Sequence, residues 1–192
     1  MTNNLPPADF VTALESLKGL EFRPEIHVGQ IPGPTRIAPW AVALQAEVKD
    51  RNDSDELRGS AKFVVLHDPD TQPAWNGTFR IVIHAQAPVD SVMGDDPLLG
   101  EVAWSWLQDG FDGAGASYHS LNGTVTRVFN ETFGGLYLNS SRVDLEVRAS
   151  WSPQTPYLTE HLRAWADFIA SLSGLGPWSD QVSSLARKVD KV

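Results

Sequence analysis

The amino-acid sequence predicts a two-layer α+β domain, with a mostly antiparallel sheet of about five strands and helices on one face. Two patterns carry this prediction: segments in which apolar and polar residues alternate, and segments in which apolar residues recur every three or four positions. The strand-like segments follow one another through short connections, which favours antiparallel pairing. The predicted order is α-β-β-β-α-β-β-α, with the helices packed on the apolar side of the sheet.

The first predicted helix follows Pro6-Pro7 and ends at Gly19. The segment 21–39 contains four prolines, which exclude a helix or a central strand, so we expect an extended segment that covers the core. Residues 40–48 alternate between apolar and polar side chains and predict a half-buried strand. The same residues also have good helix propensity, so the strand is the favoured of two interpretations.

The next two strands are predicted at residues 61–67 and 78–87. The first is apolar on both faces, which is typical of an interior strand, and the second alternates. Asp96-Pro97 then provides a cap and a first-turn proline for a second helix, which is expected to end in a glycine-rich stretch.

Two more strands are predicted at residues 121–133 and 142–151, and the second of them alternates most clearly. Thr155-Pro156 is expected to start the last helix, with Gly174 after its end. We therefore predict one domain over residues 1–177, and a C-terminal tail at 178–192 that is either a short helix or frayed.

The composition of the chain excludes several classes of function. The formal net charge is −9, and no cluster of basic residues precedes the short pair Arg187-Lys188, so nucleic acid is a poor partner. There are no cysteines, which excludes disulfides and thiolate metal sites. No secretion signal and no apolar run near the ~20 residues of a membrane helix is recognisable, so an intracellular protein without membrane contact is expected.

Three blocks of residues carry a family resemblance. They are Arg23-Pro24-Glu25-Ile26 with Ile31-Pro32-Gly33-Pro34 and Arg36-Ile37-Ala38-Pro39; Leu66-His67-Asp68-Pro69 with Trp75-Asn76-Gly77-Thr78-Phe79-Arg80; and Asp96-Pro97-Leu98-Leu99 with Trp104-Ser105-Trp106-Leu107 and Gly123-Thr124-Val125-Thr126. From about residue 10 to 177 the chain resembles an uncharacterised actinobacterial family catalogued as domain of unknown function three thousand (DUF-3000). The resemblance implies an actinobacterial, cytoplasmic protein and supplies no activity. The element order alone is similar to that of the small dimeric chaperones of type III secretion.

Charged residues on the predicted strands suggest a ligand-binding surface at one place and a buried polar contact at another. Arg80 and His84 lie on the same polar face of one strand, where they form a cationic strip suited to a carboxylate or a peptide, or else a plain solvated face. Arg127 shares a strand face with apolar residues. It is therefore either paired with a structural partner or lines a pocket, unless the strand bulges or slips at Gly123.

Two aromatic residues of the second helix suggest another surface. Trp104 falls outside the buried stripe of that helix, and Phe111 lies near it in the sequence. Exposed aromatic side chains of this kind mark contact surfaces, unless the tail and the proline-rich segment cover them.

These observations favour a non-enzymatic protein-binding module, similar to a chaperone or an adaptor, whose partner is another protein or a second copy of itself. The alternative is a small hydrolase or metal-dependent enzyme that uses a cleft formed by His67, Asp68, Arg80 and His84. Nucleotide-binding, zinc-protease and serine-hydrolase motifs are missing from the sequence, so no cofactor and no catalytic residue is predicted.

Overall fold

The structure, a computed structural model, describes residues 5–51, 56–131 and 142–176. In chain order the elements are α1 (Ala8–Ser16), β1 (Ile26–Ile31), β2 (Trp40–Lys49), β3 (Leu57–Gln72), β4 (Gly77–Val89), α2 (Ser91–Gly94), α3 (Leu99–Ala114), β5 (Tyr118–Asn130), β6 (Arg142–Pro153) and α4 (Thr159–Leu172). The predicted α+β class is confirmed, with one more strand and one more short helix than expected. The boundary predicted at residue 177, the tail at 178–192 and the end of the strand predicted at 121–133 lie outside the described residues.

The six strands form one antiparallel sheet in the order β1-β2-β3-β4-β6-β5. Strands β1 to β4 follow one another as a meander. Strand β6 then pairs with β4, and β5 pairs with the far side of β6. Of the last two strands, β6 therefore lies inside the sheet and β5 lies outside it. This leaves β1 and β5 as the two edges of the sheet.

The extra strand, β1, corrects the expectation for the segment 21–39. It lies between Pro24 and Pro32 and pairs with β2 on one side only. Prolines therefore flank the strand without interrupting it, and an edge strand between two prolines is compatible with their missing N–H groups. The strand predicted at 40–48 is confirmed as β2, and the helical alternative for those residues is wrong.

All four helices pack on the same face of the sheet, the covered face. Phe63 of β3 lies 5.4 Å, centroid to centroid, from Trp165 of α4, and Trp151 of β6 lies 4.8 Å from Phe111 of α3. Phe10 of α1 stacks on His67, which shares the face of Phe63. The inward side chains of the central strands are almost completely buried here, which places the hydrophobic core between this face and the helices.

Helix α3 runs through two of the glycines that were expected to end it. It ends at Ala114, and Gly115 follows with a φ of 69°, the left-handed conformation that glycine adopts without strain. Gly110 lies inside the helix, where a Cβ would come within 2.7 Å of the carbonyl oxygen of Ala164. Its missing side chain therefore permits the close approach of α3 to α4. In the described ranges, no helix has the length and apolarity needed to cross a membrane.

Candidate functional site

The second face of the sheet, the uncovered face, has no helix against it within the described residues. The strand register places three basic side chains on one rung of this face. Lys62 of β3 pairs with His84 of β4, and His84 pairs with Arg148 of β6. Since adjacent strands lie about 4.8 Å apart, these three residues form a row across the middle of the sheet. We call Lys62, His84 and Arg148 the basic row.

One carboxylate lies beside the basic row. The Nη2 of Arg148 is 2.6 Å from Oε1 of Glu146, and the Nε2 of His84 is 3.2 Å from the same oxygen. The histidine contact is within ion-pairing distance, but its alignment is too poor for a hydrogen bond. Glu146 is mostly buried, whereas 70% of the Arg148 side chain and 39% of the His84 side chain remain exposed. Arg148 therefore keeps most of its side chain in contact with solvent, and His84 keeps part of its ring there although its Nε2 atom is buried.

Lys62 is the freest member of the basic row. Its side chain is exposed, and within the described part of the chain its ammonium group forms no ion pair and no hydrogen bond. A primary ammonium on a flexible stem can reach a ligand over a wide area.

Two shallow depressions meet at His84. One, of about 270 Å³, extends from His84 and Arg148 towards Asn122 and Thr124 of the edge strand β5. The other, of about 290 Å³, extends from His84 past Lys62 to Gln45 and Gln86. Together they run across most of the sheet, and their walls provide neutral hydrogen-bonding groups on both sides of the basic groups.

Arg80 does not belong to this row, which corrects the cationic strip predicted from the sequence. Only 5% of Arg80 is exposed, and its guanidinium donates four hydrogen bonds. The acceptors are the carbonyl oxygen of Ser120 (2.9 Å), the carbonyl oxygen and Oγ of Ser150 (3.2 and 2.7 Å) and the Oγ of Ser152 (3.2 Å). Burial lowers the pKa of Arg80 from its usual high value. The side chain thus joins β4, β5 and β6, and it is not available to a ligand.

Arg127 forms a structural contact of the kind that the sequence left open. Its Nη1 donates to the carbonyl oxygens of Gly94 (3.3 Å) and Asp96 (2.9 Å). These carbonyls lie where α2 ends and the chain turns towards α3. Arg127 therefore attaches the edge strand β5 to that turn.

The two aromatic residues predicted to form a contact surface differ in their placement. Phe111 is only 1% exposed and packs edge-on against Trp151, so the expectation of an exposed Phe111 is wrong. Trp104 is half-buried and packs on Gly123 of β5, where a Cβ would lie 2.7 Å from its Cζ3. The sheet extends beneath this side of α3, and the glycine leaves room for the indole ring.

The residues of the enzymatic alternative do not share a cleft. His67 lies on the covered face between the rings of Phe10 and Phe79, its Nδ1 is 3.1 Å from the carbonyl oxygen of Thr78, and burial lowers its pKa. Asp68 accepts hydrogen bonds from Gln72 Nε2 and the amide of Asp70, which lower the pKa of its carboxyl group. Arg80 and His84 lie on the opposite face. Among the described residues, no cluster of three or more metal-ligating side chains occurs.

A comparison with protein families gives one match, to a family described as "Protein of unknown function (DUF3000)", and it covers residues 6–183. The chain belongs to the DUF3000 family. No curated protein and no solved structure is significantly similar to it. The family read from the three sequence blocks is thereby confirmed, while the actinobacterial source and the likeness to type III secretion chaperones stay expectations.

In this DUF3000 chain, the sequence alone indicates one member of the basic row, His84, as a binding residue. It does not indicate the other two, Lys62 and Arg148. The alternation of residues 142–151 predicts an outward side chain for Arg148, whereas Lys62 lies in the segment 61–67, which was predicted to be apolar on both faces. What was missing was the register that places them on either side of His84. Register between distant strands depends on the whole sheet, so no local pattern could have provided it.

Proposed function

We propose that this DUF3000 chain is a cytoplasmic, non-enzymatic protein-binding module that holds an acidic, extended segment of a partner protein on the uncovered face of its sheet. The observation that carries the proposal is the basic row, in which three basic side chains stand on neighbouring central strands and those at its two ends, Lys62 and Arg148, are exposed. In a chain of net charge −9, such a row is a local exception to the acidic surface.

The charges of the row favour a carboxylate ligand. Glu146 neutralises about one unit of charge, and it lies beneath the more exposed groups of His84 and Arg148. Lys62 adds a second cation without a partner in the described residues. A carboxylate that enters from solvent can therefore accept charge-assisted hydrogen bonds from both ends of the row.

The spacing of the row favours an extended ligand. Lys62 and Arg148 are separated by two strand spacings, which is about 10 Å. In a polyproline II segment, residues three apart face the same side and lie about 9 Å from each other. Acidic side chains at every third position of such a segment therefore match the two cations, and the depressions on either side of His84 accept its backbone.

The four residues of the enzymatic alternative lie on two opposite faces of the sheet, and this also supports a binding function. His67 is enclosed by aromatic rings, and the hydrogen-bonding groups of Arg80 are occupied by serine residues. His84 is left with Glu146 and two basic neighbours, an arrangement that suits recognition of an anion.

The proposal can be tested by fluorescence anisotropy with a labelled peptide of repeated Glu-Pro-Pro units, and with a Lys-Pro-Pro peptide as the reversed-charge control. We expect the acidic peptide to bind more tightly, and its affinity to fall as salt is raised. Lys62→Ala and Arg148→Ala should each raise the Kd about tenfold, which corresponds to the loss of one charge-assisted hydrogen bond.

Lys18→Ala is the matched control, because Lys18 is an exposed cation just after α1, and α1 packs on the covered face. This variant should leave the Kd unchanged. Equal binding of the acidic and basic peptides, or equal effects of Lys18→Ala and Lys62→Ala, would show that the basic row is not a binding site.

A further inference from the structure

The edge strand β5 lacks the protection that sheet edges usually have. Residues 122–130 pair without interruption with β6 on one side, and within the described residues no strand pairs with the other side. Nine residues of strand extend about 30 Å. This stretch has no proline and only one charged residue, Arg127. A long edge of this kind is a template for pairing with another strand.

The opposite edge, β1, has that protection. It has only six residues, Pro24 and Pro32 lie close to its two ends, and it contains Gly29. Short length and flanking prolines are two of the devices by which natural proteins prevent edge-to-edge association. The contrast indicates that β5 is the edge adapted to a contact.

Exposed apolar side chains are concentrated beside β5. Eleven large apolar residues are exposed in the described structure, and six of them belong to α2, the start of α3 or the end of β5. The five that lie on the covered-face side form what we call the apolar corner: Val92, Met93, Leu98, Val102 and Phe129; Val128 points to the uncovered face of the same edge.

The apolar corner is held together as one surface. Arg127 links β5 to the carbonyl oxygens of Gly94 and Asp96. Gly94 lies directly against the side chain of Val143, the residue that pairs with Phe129. Leu98 and Val102 are four residues apart and so lie on the same side of the helical turn that begins α3. An exposed apolar surface beside an unpaired edge is typical of a protein interface.

We propose that β5 pairs antiparallel with β5 of a second copy of this chain, so that two sheets join into one of twelve strands and each apolar corner is buried against the partner subunit. The resulting dimer has twofold symmetry, in which the same surface of each subunit meets its own copy. This inference goes beyond the proposed function, because the basic row lies on β3, β4 and β6, whereas the new contact is made by β5.

The side-chain pattern of β5 is what identifies a second copy as the occupant. Any antiparallel register with directly opposed residues keeps both faces consistent across the joint, and the register centred on Thr126 is the one that sets Gly123 against Phe129. Thr124 then lies beside Val128 of the partner subunit on the uncovered face, and Gly123 lies beside Phe129 of the partner subunit on the covered face. A large ring next to a strand glycine is a favourable cross-strand combination.

Trp104 gains a role in this arrangement. Its ring already lies over Gly123. Phe129 of the partner subunit would therefore meet both the glycine and the indole, and an aromatic pair of this kind adds to the apolar contact. Arg127 faces Val125 of the partner subunit in the same register, so the two arginines are not directly opposed.

The first test is the molar mass in solution, measured by light scattering after size-exclusion chromatography and by sedimentation equilibrium. We expect twice the chain mass of 21.0 kDa. Thr126→Lys would place two ammonium groups opposite each other, and Leu98→Glu would place charges in the apolar corner. Each should raise the dissociation constant at least tenfold, while the circular dichroism spectrum and Tm stay close to those of the original chain.

Gln30→Lys is the matched control, because it introduces the same charge on the edge strand β1. It should remain dimeric. A monomer at all concentrations, or a dimer that is weakened by Gln30→Lys and not by Thr126→Lys, overturns the proposal. The peptide titration of the basic row is measured separately, so failure of the dimer and failure of the binding function are distinguishable.

The absence of cysteine from the chain permits a second test that does not depend on weakening the dimer. Directly opposed residues of antiparallel strands have Cα atoms about 4.5 to 5.5 Å apart, which is within the range of a disulfide. Thr126→Cys should give a covalent dimer on mild oxidation, and Gln30→Cys should not. No covalent dimer from Thr126→Cys, or equal crosslinking of both variants, contradicts the proposed register.

Discussion

On the covered face, Trp151 donates a hydrogen bond of 3.1 Å to Nδ1 of His161, and both side chains are enclosed by apolar groups. On the uncovered face, Arg80 donates four hydrogen bonds to serine residues, while His84 and Arg148 remain in contact with solvent. Both faces bury nitrogen-bearing side chains, and on the uncovered face exposed groups of the same kind stand beside the buried ones. The difference separates residues that the fold requires from residues that it does not.

The alternation of β3 shows this separation within two consecutive residues. Phe63 is completely buried between Trp151 and Trp165, whereas the neighbouring Lys62 is exposed. A basic residue at position 62 therefore contributes little to folding. Position 62 is therefore one at which a residue can serve the proposed binding function at little cost to stability.

The largest expected effect on the free energy of unfolding comes from comparing substitutions at these two positions, one on each face of the sheet. Phe63→Ala should lower the free energy of unfolding by about 3 to 5 kcal/mol, because it leaves a cavity between two tryptophans. Lys62→Ala should change it by no more than about 0.5 kcal/mol. Urea denaturation followed by tryptophan fluorescence measures both. A loss of several kcal/mol from Lys62→Ala would mean that the uncovered face is in fact packed.

The next effect is the dependence of stability on pH through His161. Burial lowers the pKa of His161 to about 4 in the folded protein, from a usual value of 6.5. The unfolded chain therefore binds a proton more readily. The contribution to stability is complete above pH 6.5 and is lost as the pH falls from 6.5 to 4, and it amounts to about 3 kcal/mol.

His161→Gln isolates that contribution, because its side-chain oxygen can still accept the hydrogen bond from Trp151. We expect the free energy of unfolding of the original chain to fall more steeply between pH 7 and pH 4.5 than that of the variant. Other groups with lowered pKa values, such as His67 and Asp68, titrate in both proteins and cancel in the comparison. Parallel curves for the two proteins would contradict a buried, neutral His161.

Local patterns were sufficient to predict most of the elements. Alternation identified β2, β4 and β6, and the glycine and proline signals placed the helices to within a few residues. The missed strand β1 is short and lies among prolines, so its strand character comes from pairing with β2. Edge strands of this kind depend on a partner more than on their own sequence.

The candidate site was less predictable than the fold, because it depends on contacts between distant segments. Arg80 carries the same strand-face signal as His84, but the bulge of β5 at Ser120, where φ is 54°, brings a carbonyl oxygen to its guanidinium. Phe111 was expected to be exposed, and it is buried because β6 presents Trp151 beneath it. Neither contact leaves a trace in the local sequence.

The smallest of the three effects concerns two cations of the uncovered face, Arg80 and Arg148. Arg80→Met keeps the apolar stem but removes the donors to Ser120, Ser150 and Ser152, so buried acceptors lose their partners. We expect a loss of about 2 kcal/mol in the free energy of unfolding.

Arg148→Met makes the same chemical change at a position that is 70% exposed and should cost less, about 1 kcal/mol, because Glu146 keeps His84 as a neighbour. The binding assay should give the reverse order, with the acidic peptide weakened by Arg148→Met and unaffected by Arg80→Met at a temperature where both variants are folded. This crossed pattern separates a residue that holds strands together from one that meets a ligand. If the two variants instead lost stability equally, the uncovered face would have to be treated as part of the folded core, and the basic row would lose its distinction from Arg80.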